Sequence, residues 1–382
     1  MPTCLQQTPR KILFVIRLVL LIPTLDRSGA EKQFVLLATQ LPRDEFDIHA
    51  VALTRGGPYE VPLRESGIPL TILGKRWKCD PFALRRLKRV LDRDKPDILH
   101  TWLFTANAYG RLVAGKALRP QVIVSERCVD TWKSGWQLRL DRRQIKRTRC
   151  LVANSQGVAD FYSQQGFPAE RIVVIPNGVK VADEEPIDRA AVLREYEIPP
   201  EGRVIGYVGR LARQKRVSDL FYSFHLLRQL TDSVFLLIVG DGPQRGQLEE
   251  LAQQMRIDHL VRFTGQRDDA TQLIRQMNVF WLASDFEGMS NSLMEAMAAG
   301  VPAVASKIGP NSELVIDGET GFLVDVGDHV AFAQFTDRLL ADPKLAGRLG
   351  SAARERALKE FSIKTMVNAH ADLYREIVAA QH

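Results

Sequence analysis

The sequence predicts an α/β protein of two doubly wound, parallel-sheet domains facing each other across a central cleft. Three observations carry this expectation. Short β-rich apolar runs alternate with helix-like segments from residue 18 to 175. A polar, turn-rich stretch at 177–200 then interrupts the rhythm, and the same alternation restarts at 204. Runs that are apolar on both faces and separated by helices belong to parallel strands covered on both sides. A chain of 382 residues is long enough for two such units.

In the first unit the expected strands are 18–22, 48–53, 70–73, 98–102, 122–124, 151–153 and 172–175, with helices at 30–41, 82–92 and 107–118. The break holds Asn177-Gly178, an acidic turn from Asp183 to Pro186 and Pro199-Pro200, with one short helix at 189–196. The second unit reads as strands at 204–208, 234–239, 260–263, 279–282 and 302–305, separated by helices at 219–230, 244–255 and 291–299. This divides the chain into a domain at 1–180, a domain at 181–361 and a C-terminal helix at 362–382 that packs back on the first. Ligands bind at the carboxyl ends of strands in such sheets, so the cleft between the domains is the expected site.

Composition narrows the class. At 45% hydrophobic and 25% charged residues, the chain is neither a disordered tail, a collagen, a coiled-coil rod nor a multi-span membrane protein. The net charge of +7 is unevenly spread: residues 1–180 carry 30 Lys and Arg against 16 Asp and Glu, and the rest is acidic. Only the first domain is therefore expected to face an anionic partner. The four cysteines form no C-x-x-C pair, and the seven histidines show no H-x-x-x-H, so zinc is not expected and a reducing cytosol is the expected setting. The apolar run at 12–22, broken by Arg17, falls short of the ~20 residues of a membrane span and reads as a buried strand. Residues 12–16 and 18–22 both read as a first strand, but the glycine turn follows only the second at the usual distance. The first ten or more residues therefore read as an extension or a mis-chosen start, and whether 1–16 belong to the fold is left open.

Two motifs carry less than they first suggest. Gly240-Asp241-Gly242 opens like a dinucleotide fingerprint, but Arg245 stands where the third glycine belongs. Asp92-Arg93-Asp94 supplies only two of the roughly six oxygens a divalent cation takes and reads as solvated helix-end charge.

The chemistry converges on three segments. An acidic loop leads into a helix start: Glu287-Gly288-Met289-Ser290-Asn291-Ser292-Leu293-Met294-Glu295, then Ala296 to Pro302. Its free first-turn N–H groups are an anion site, and its two carboxylates can address opposite ends of a ligand. Arg210 and Lys215 follow the strand at 204–208, offering a planar fork and a point charge to phosphate. A glycine turn, Ser28-Gly29-Ala30-Glu31, opens the first helix.

Together these segments resemble glycosyltransferase family 4, the group 1 glycosyltransferases of GT-B fold. The Glu287–Glu295 spacing with the run to Pro302, the Arg210/Lys215 pair, the Gly29 loop and the turn at 239–243 match the family's motifs in order over nearly the whole chain. The resemblance implies a GT-B architecture of two Rossmann-like domains and a retaining, metal-independent transfer of a hexosyl or N-acetylhexosaminyl group. The donor would be a nucleotide-diphospho-sugar, UDP by base rate, and the acceptor a glycan or lipid-linked molecule of cell-surface polysaccharide or glycolipid synthesis. It gives Arg210 and Lys215 to the donor diphosphate, together with the backbone at Asn291, Ser292 and Leu293. It gives Glu295 to the ribose, Glu287 to the transferred sugar, Gly29 to loop closure over the phosphate, Gly242 to a phosphate-side turn, and Gly265 and Gln266 to the base. No resident cofactor or metal is implied.

Two positions depart from the family. Ser28 replaces a glycine, which predicts a cost at positive φ. Arg127 stands where many members carry a histidine near the acceptor, with His100 a second stand-in. The basic stretch 133–149 mixes Lys133, Arg139, Arg142, Arg143, Lys146, Arg147 and Arg149 with Trp132, Trp136, Leu138, Leu140 and Ile145. Such a mixture predicts peripheral binding to an anionic membrane, on the inner face of the plasma membrane for a cytosolic protein. Nucleic acid is not an expected partner, because no recognised module accompanies the charge. The rival readings are a UDP-sugar epimerase of similar fold and a membrane-binding adaptor with a decayed site.

Overall fold

The computed structural model describes residues 15–114, 120–129, 133–180 and 188–381. Residues before 15 (Cys4 included), the end of the helix expected at 107–118, Trp132 and the acidic turn Asp183–Pro186 lie outside them.

The first domain alternates β1 (Ile16–Thr24), α1 (Gly29–Gln40), β2 (Phe46–Arg55), α2 (Glu60–Glu65), β3 (Leu70–Ile72), α3 (Pro81–Asp94), β4 (Ile98–Trp102), α4 (Leu103–Ala114), β5 (Gln121–Glu126), α5 (Gly135–Gln144), β6 (Cys150–Ala153), α6 (Gln156–Gln164) and β7 (Ile172–Val174). Its strands form a parallel sheet of order β3-β2-β1-β4-β5-β6-β7. β1 is central, so both of its faces must be apolar. Leu18, Leu20 and Ile22 enter one core layer with Phe34, and Val19 and Leu21 enter the other with Leu87.

The second domain runs α7 (Arg189–Glu195), β8 (Arg203–Val208), α8 (Val217–Leu227), β9 (Val234–Val239), α9 (Arg245–Gln254), β10 (Val261–Gly265), α10 (Ala270–Ile274), β11 (Val279–Leu282), α11 (Asn291–Ala298), β12 (Ala303–Ser306), α12 (Gly309–Leu314), β13 (Phe322–Val324), α13 (His329–Ala341) and α14 (Pro343–Glu360). Its parallel sheet has the order β10-β9-β8-β11-β12-β13. In both sheets the order reverses beside the first strand, which opens a crevice at the strand carboxyl ends.

The last helix, α15 (Ile363–Ala379), returns to the first domain, where Met366, Tyr374 and Ile377 join the core of Ile16 and Phe46. The two crossings between domains lie side by side: the Val179 N–H donates to Phe361 O at 2.8 Å, and Val179 bridges Ser362. Gly178 is needed there, since a Cβ would meet the Ile363 Cα at 2.9 Å.

The structure departs from the sequence reading at one junction that matters. β4 passes directly into α4 at Leu103, four residues before the expected start, with Leu103 in the left-handed region at φ 68°. Leucine pays a steric cost there, and such strain persists only where the surroundings impose it.

Candidate active site in the interdomain cleft

A cleft of about 1530 Å³ separates the domains, lined from both sides by strand-end loops. On the second domain, the loop after β8 carries Arg210 onto the cleft wall, exposed and facing open space. The loop is held from behind. The Leu211 N–H donates to Asp241 O at 2.9 Å, the Gln244 N–H donates to Leu211 O at 3.1 Å, and the Tyr207 hydroxyl donates to Arg210 O at 3.0 Å. Lys215 forms an ion pair with Glu287, which also accepts from the Ser284 hydroxyl at 2.7 Å. Both partners are largely buried, so with Lys215 compensated Arg210 is the freer cation for an incoming anion.

α11 begins beside them. Ser290 caps it and accepts from the Leu293 N–H at 3.4 Å. Asn291 and Ser292 lie in the first turn, where N–H groups have no intrahelical acceptor, and both line the cleft. Leu293 corrects the sequence reading: its N–H is committed to the cap and its side chain is wholly buried. Gly242 and Gly265 are corrected similarly, because they stand behind the wall. A Cβ at Gly242 would lie 2.4 Å from Leu211 O, and Gly265 takes φ 71° where its carbonyl accepts from Gly240. They shape the loop after β8 and the turn at Gln266, which does line the cleft.

From the first domain, α1 brings its amino end against α11. The Asn291 Nδ2 donates to Gly29 O at 3.1 Å, and a Cβ on Gly29 would sit 3.0 Å from that nitrogen. Ser28 carries no strain: it is extended at φ −142°, and its hydroxyl donates to Glu31. The expected cost at positive φ does not arise, because the turn places the serine at the helix N-cap. Lys32 pairs with Glu295 across the cleft. Burial lowers the ammonium's pKa, but the Glu295 carboxylate more than offsets this and holds it above the ordinary value. Arg27 and Asp268 make a second cross-cleft pair at 2.7 Å.

Asn177, at the hinge, ties these parts together. It donates to Asn291 Oδ1 at 2.8 Å, and Gln33 holds Gly178 through both of its amide atoms. The sequence reading missed Lys32, Gln33 and Asn177, since nothing local marks a partner more than a hundred residues away.

Arg127 and His100 part company. Arg127 lines the cleft floor, with its guanidinium 3.8 Å over the Trp102 ring and one amino group donating to Asn177 Oδ1 at 3.1 Å. Among the described residues its Nε and other amino group have no partner, and burial lowers its pKa to about 9. Its carbonyl faces Gly288, where a Cβ would come within 1.9 Å. His100 is withdrawn from the site. It is wholly buried in the first core between the Tyr374 hydroxyl at 2.6 Å and the Ser125 hydroxyl at 2.8 Å, and burial holds its ring well below the ordinary range.

The basic stretch also needs correction. Lys133 does not face solvent: it is buried against Glu126, Asp141 and the Tyr162 hydroxyl, over the Phe104 ring. Trp136, Arg139, Arg142, Arg143 and Lys146 remain exposed on and just after α5.

The chain is similar to known proteins over most of its length. Residues 188–356 match the family profile described as glycosyl transferases group 1, and residues 27–183 that of glycosyltransferase family 4. The chain is 30% identical over 311 residues to a glycogen synthase of Mycobacterium tuberculosis, covering 76% of this chain and 72% of that one. It is 28% identical over 354 residues to the lipopolysaccharide core biosynthesis glycosyltransferase LpsE of Rhizobium meliloti, covering 91% and 95%. It is 27% identical over 386 residues to the UDP-Gal:alpha-D-GlcNAc-diphosphoundecaprenol alpha-1,3-galactosyltransferase of Escherichia coli, covering 94% and 96%. Its fold resembles that of Anabaena HepE solved in complex with UDP-glucose, with a TM-score of 0.84 at 22% identity over 94% of this chain and 99% of that one.

Proposed function

The chain belongs to the group 1 glycosyltransferases of family 4 and has the GT-B fold, and from that premise we propose a specific reaction. The enzyme moves a hexosyl or N-acetylhexosaminyl group from a UDP-sugar, with retention and without a metal ion, to a glycan or lipid-linked acceptor in lipopolysaccharide or related polysaccharide synthesis. The activities of the Rhizobium and Escherichia relatives and the UDP-glucose bound by HepE support the substrate classes. The observation that carries the reading is the convergence of Arg210, Lys215 and the α11 amino end on one cleft wall, with Glu287 and Glu295 eight residues apart along it.

In this reading the donor diphosphate lies against Arg210, Lys215 and the N–H groups of Asn291 and Ser292. As the bond between the anomeric carbon and the phosphate oxygen breaks, negative charge grows on the diphosphate, and these preorganised donors stabilise it. Glu295 holds the ribose hydroxyls, exchanging its Lys32 contact for them. Glu287 orients the sugar, and its carboxylate keeps Lys215 in place. The acceptor hydroxyl enters from the first-domain side, and positioning supplies much of the remaining rate. Arg127 braces the floor under the transferred sugar through Asn177. No helix among the described residues is long and apolar enough to cross a membrane. The exposed face of α5, with Trp136 among arginines, supports peripheral attachment to an anionic bilayer.

The test is calorimetric titration with UDP, GDP and ADP in excess EDTA, followed by NMR of the product's anomeric configuration. Tight UDP binding and a retained anomer are expected. Absence of nucleotide binding, or an inverted product, would overturn the reading.

A further inference from the structure

The cleft has a second arm, lined by first-domain residues that the proposed donor contacts leave out. It runs along the first domain from Leu103 and Phe104, past Tyr109 and Leu112 of α4, to Trp136 of α5. Leu112 and Trp136 are 44% and 61% exposed, a large apolar surface for side chains that line a cleft. The arm is continuous: the Phe104 and Trp136 rings meet at 6.2 Å, and the Lys75 ammonium stands 5.8 Å from the Tyr109 ring centroid.

Its charge is also unusual. Lys32, Lys133 and Lys215, which line or support the cleft, each have a carboxylate partner. Lys75 and Lys78, on the loop between β3 and α3, line the arm and have no ion-pair partner among the described residues. The nearest acid in sequence, Asp80, is occupied as the α3 cap. It accepts from the N–H groups of Arg76, Phe82 and Ala83 at 2.9, 2.9 and 3.1 Å and faces Arg86 at 3.6 Å. Two uncompensated ammonium groups beside an exposed apolar wall are complementary to one ligand chemistry: a phosphate joined to a hydrocarbon chain. The strained Leu103 lies where the arm leaves the donor site, as expected where backbone is held for function.

We propose that this arm is a subsite for an acceptor sugar carried on a lipid phosphate or diphosphate, the phosphate seated between Lys75 and Lys78 and the chain laid over Leu112 and Trp136. This rests on the reading of the first-domain arm as the acceptor side. It narrows "glycan or lipid-linked" to one class and gives two of the first domain's surplus cations a role.

The test uses the full chain saturated with UDP, so that the donor cations are filled. Farnesyl diphosphate, inorganic diphosphate and farnesol are titrated by calorimetry below the aggregation threshold of the lipids. Farnesyl diphosphate is expected to bind at least ten-fold more tightly than either fragment. The Lys75→Gln/Lys78→Gln variant is expected to lose that ten-fold with UDP affinity unchanged, which also shows that it folds. Leu112→Ser is expected to reduce farnesyl diphosphate to the affinity of inorganic diphosphate. Equal binding of farnesol and its diphosphate would overturn the phosphate seat, and equal binding of the two diphosphates would overturn the lipid half in favour of a phosphorylated glycan. Failure of UDP itself to bind would strike the donor reading instead, so the two failures are separable.

Discussion

At the scale of single residues, the site depends on which charges are already matched. Lys215 and Glu287 neutralise each other, and Ser284 holds the carboxylate. Removing either partner therefore leaves a largely buried charge alone and, on the proposed reading, deletes a ligand contact. Lys215→Ala and Glu287→Ala are each expected to cut kcat/KM by about 10²-fold or more, the scale of losing one transition-state donor. Wild-type rates in either variant would contradict the assignment. Gly288 tests closure without touching charge. Its missing Cβ admits the Arg127 carbonyl from the opposite domain, so Gly288→Ala holds the cleft apart. A shift of about 1 Å in the reacting groups costs about 10²-fold. The expected result is a loss of that order with little change in melting temperature, because the contact lies between domains rather than within either core. The Glu287–Glu295 spacing was legible in the sequence because a strand-end loop and the helix after it are covalent neighbours. The inward turn of Lys133 was not, because its partners Glu126 and Asp141 lie on other elements.

At the scale of elements, strands were easier to read than short helices. Central strands such as β1 and β9 are apolar throughout, and that pattern survives in any context. β13, with three residues, and α10, with five, are too short to display a period. α4 was placed late, because its first turn (Leu103-Phe104-Thr105) reads like a continuation of the strand. α5 carries the element-scale prediction. With Trp136 and four cations exposed on and just after it, the protein is expected to sediment with anionic vesicles at low salt and to be released by about 0.5 M salt, where screening shortens electrostatic reach. Each surface cation contributes about 1 kcal/mol, so Arg139→Glu/Arg143→Glu is expected to abolish sedimentation. No sedimentation of the wild type at low salt would remove the membrane from the account.

At the scale of the whole molecule, α15 makes the first domain dependent on the far end of the chain. The rings of His100, His370 and Tyr374 meet in that core, and burial with the nearby Arg127 charge lowers the His370 pKa to about 3. An unfolded histidine titrates near about 6.5. The folded values lie below it, so this contribution to stability is complete above about pH 6.5 and is lost as the pH falls. Each such histidine removes up to about 1.4 kcal/mol per pH unit in that range. The melting temperature is expected to fall between pH 7.5 and pH 5, and the fall should shrink in His370→Leu. An identical fall in both proteins would show that other groups control acid stability.

By itself, the sequence determined the two doubly wound domains and the strand-end segments around Arg210 and α11 that line the cleft. All of these are written in local order: apolar runs make strands, and small polar residues start helices at strand ends. Tertiary structure alone decided that Lys32 meets Glu295 from 263 residues away, that Arg127 turns inward onto Trp102, that His100 is core, and that Lys75 and Lys78 stand unmatched beside an apolar wall. Which charge finds a partner depends on where the hinge at Val179 and Ser362 sets one domain against the other, and no local pattern of residues encodes that separation.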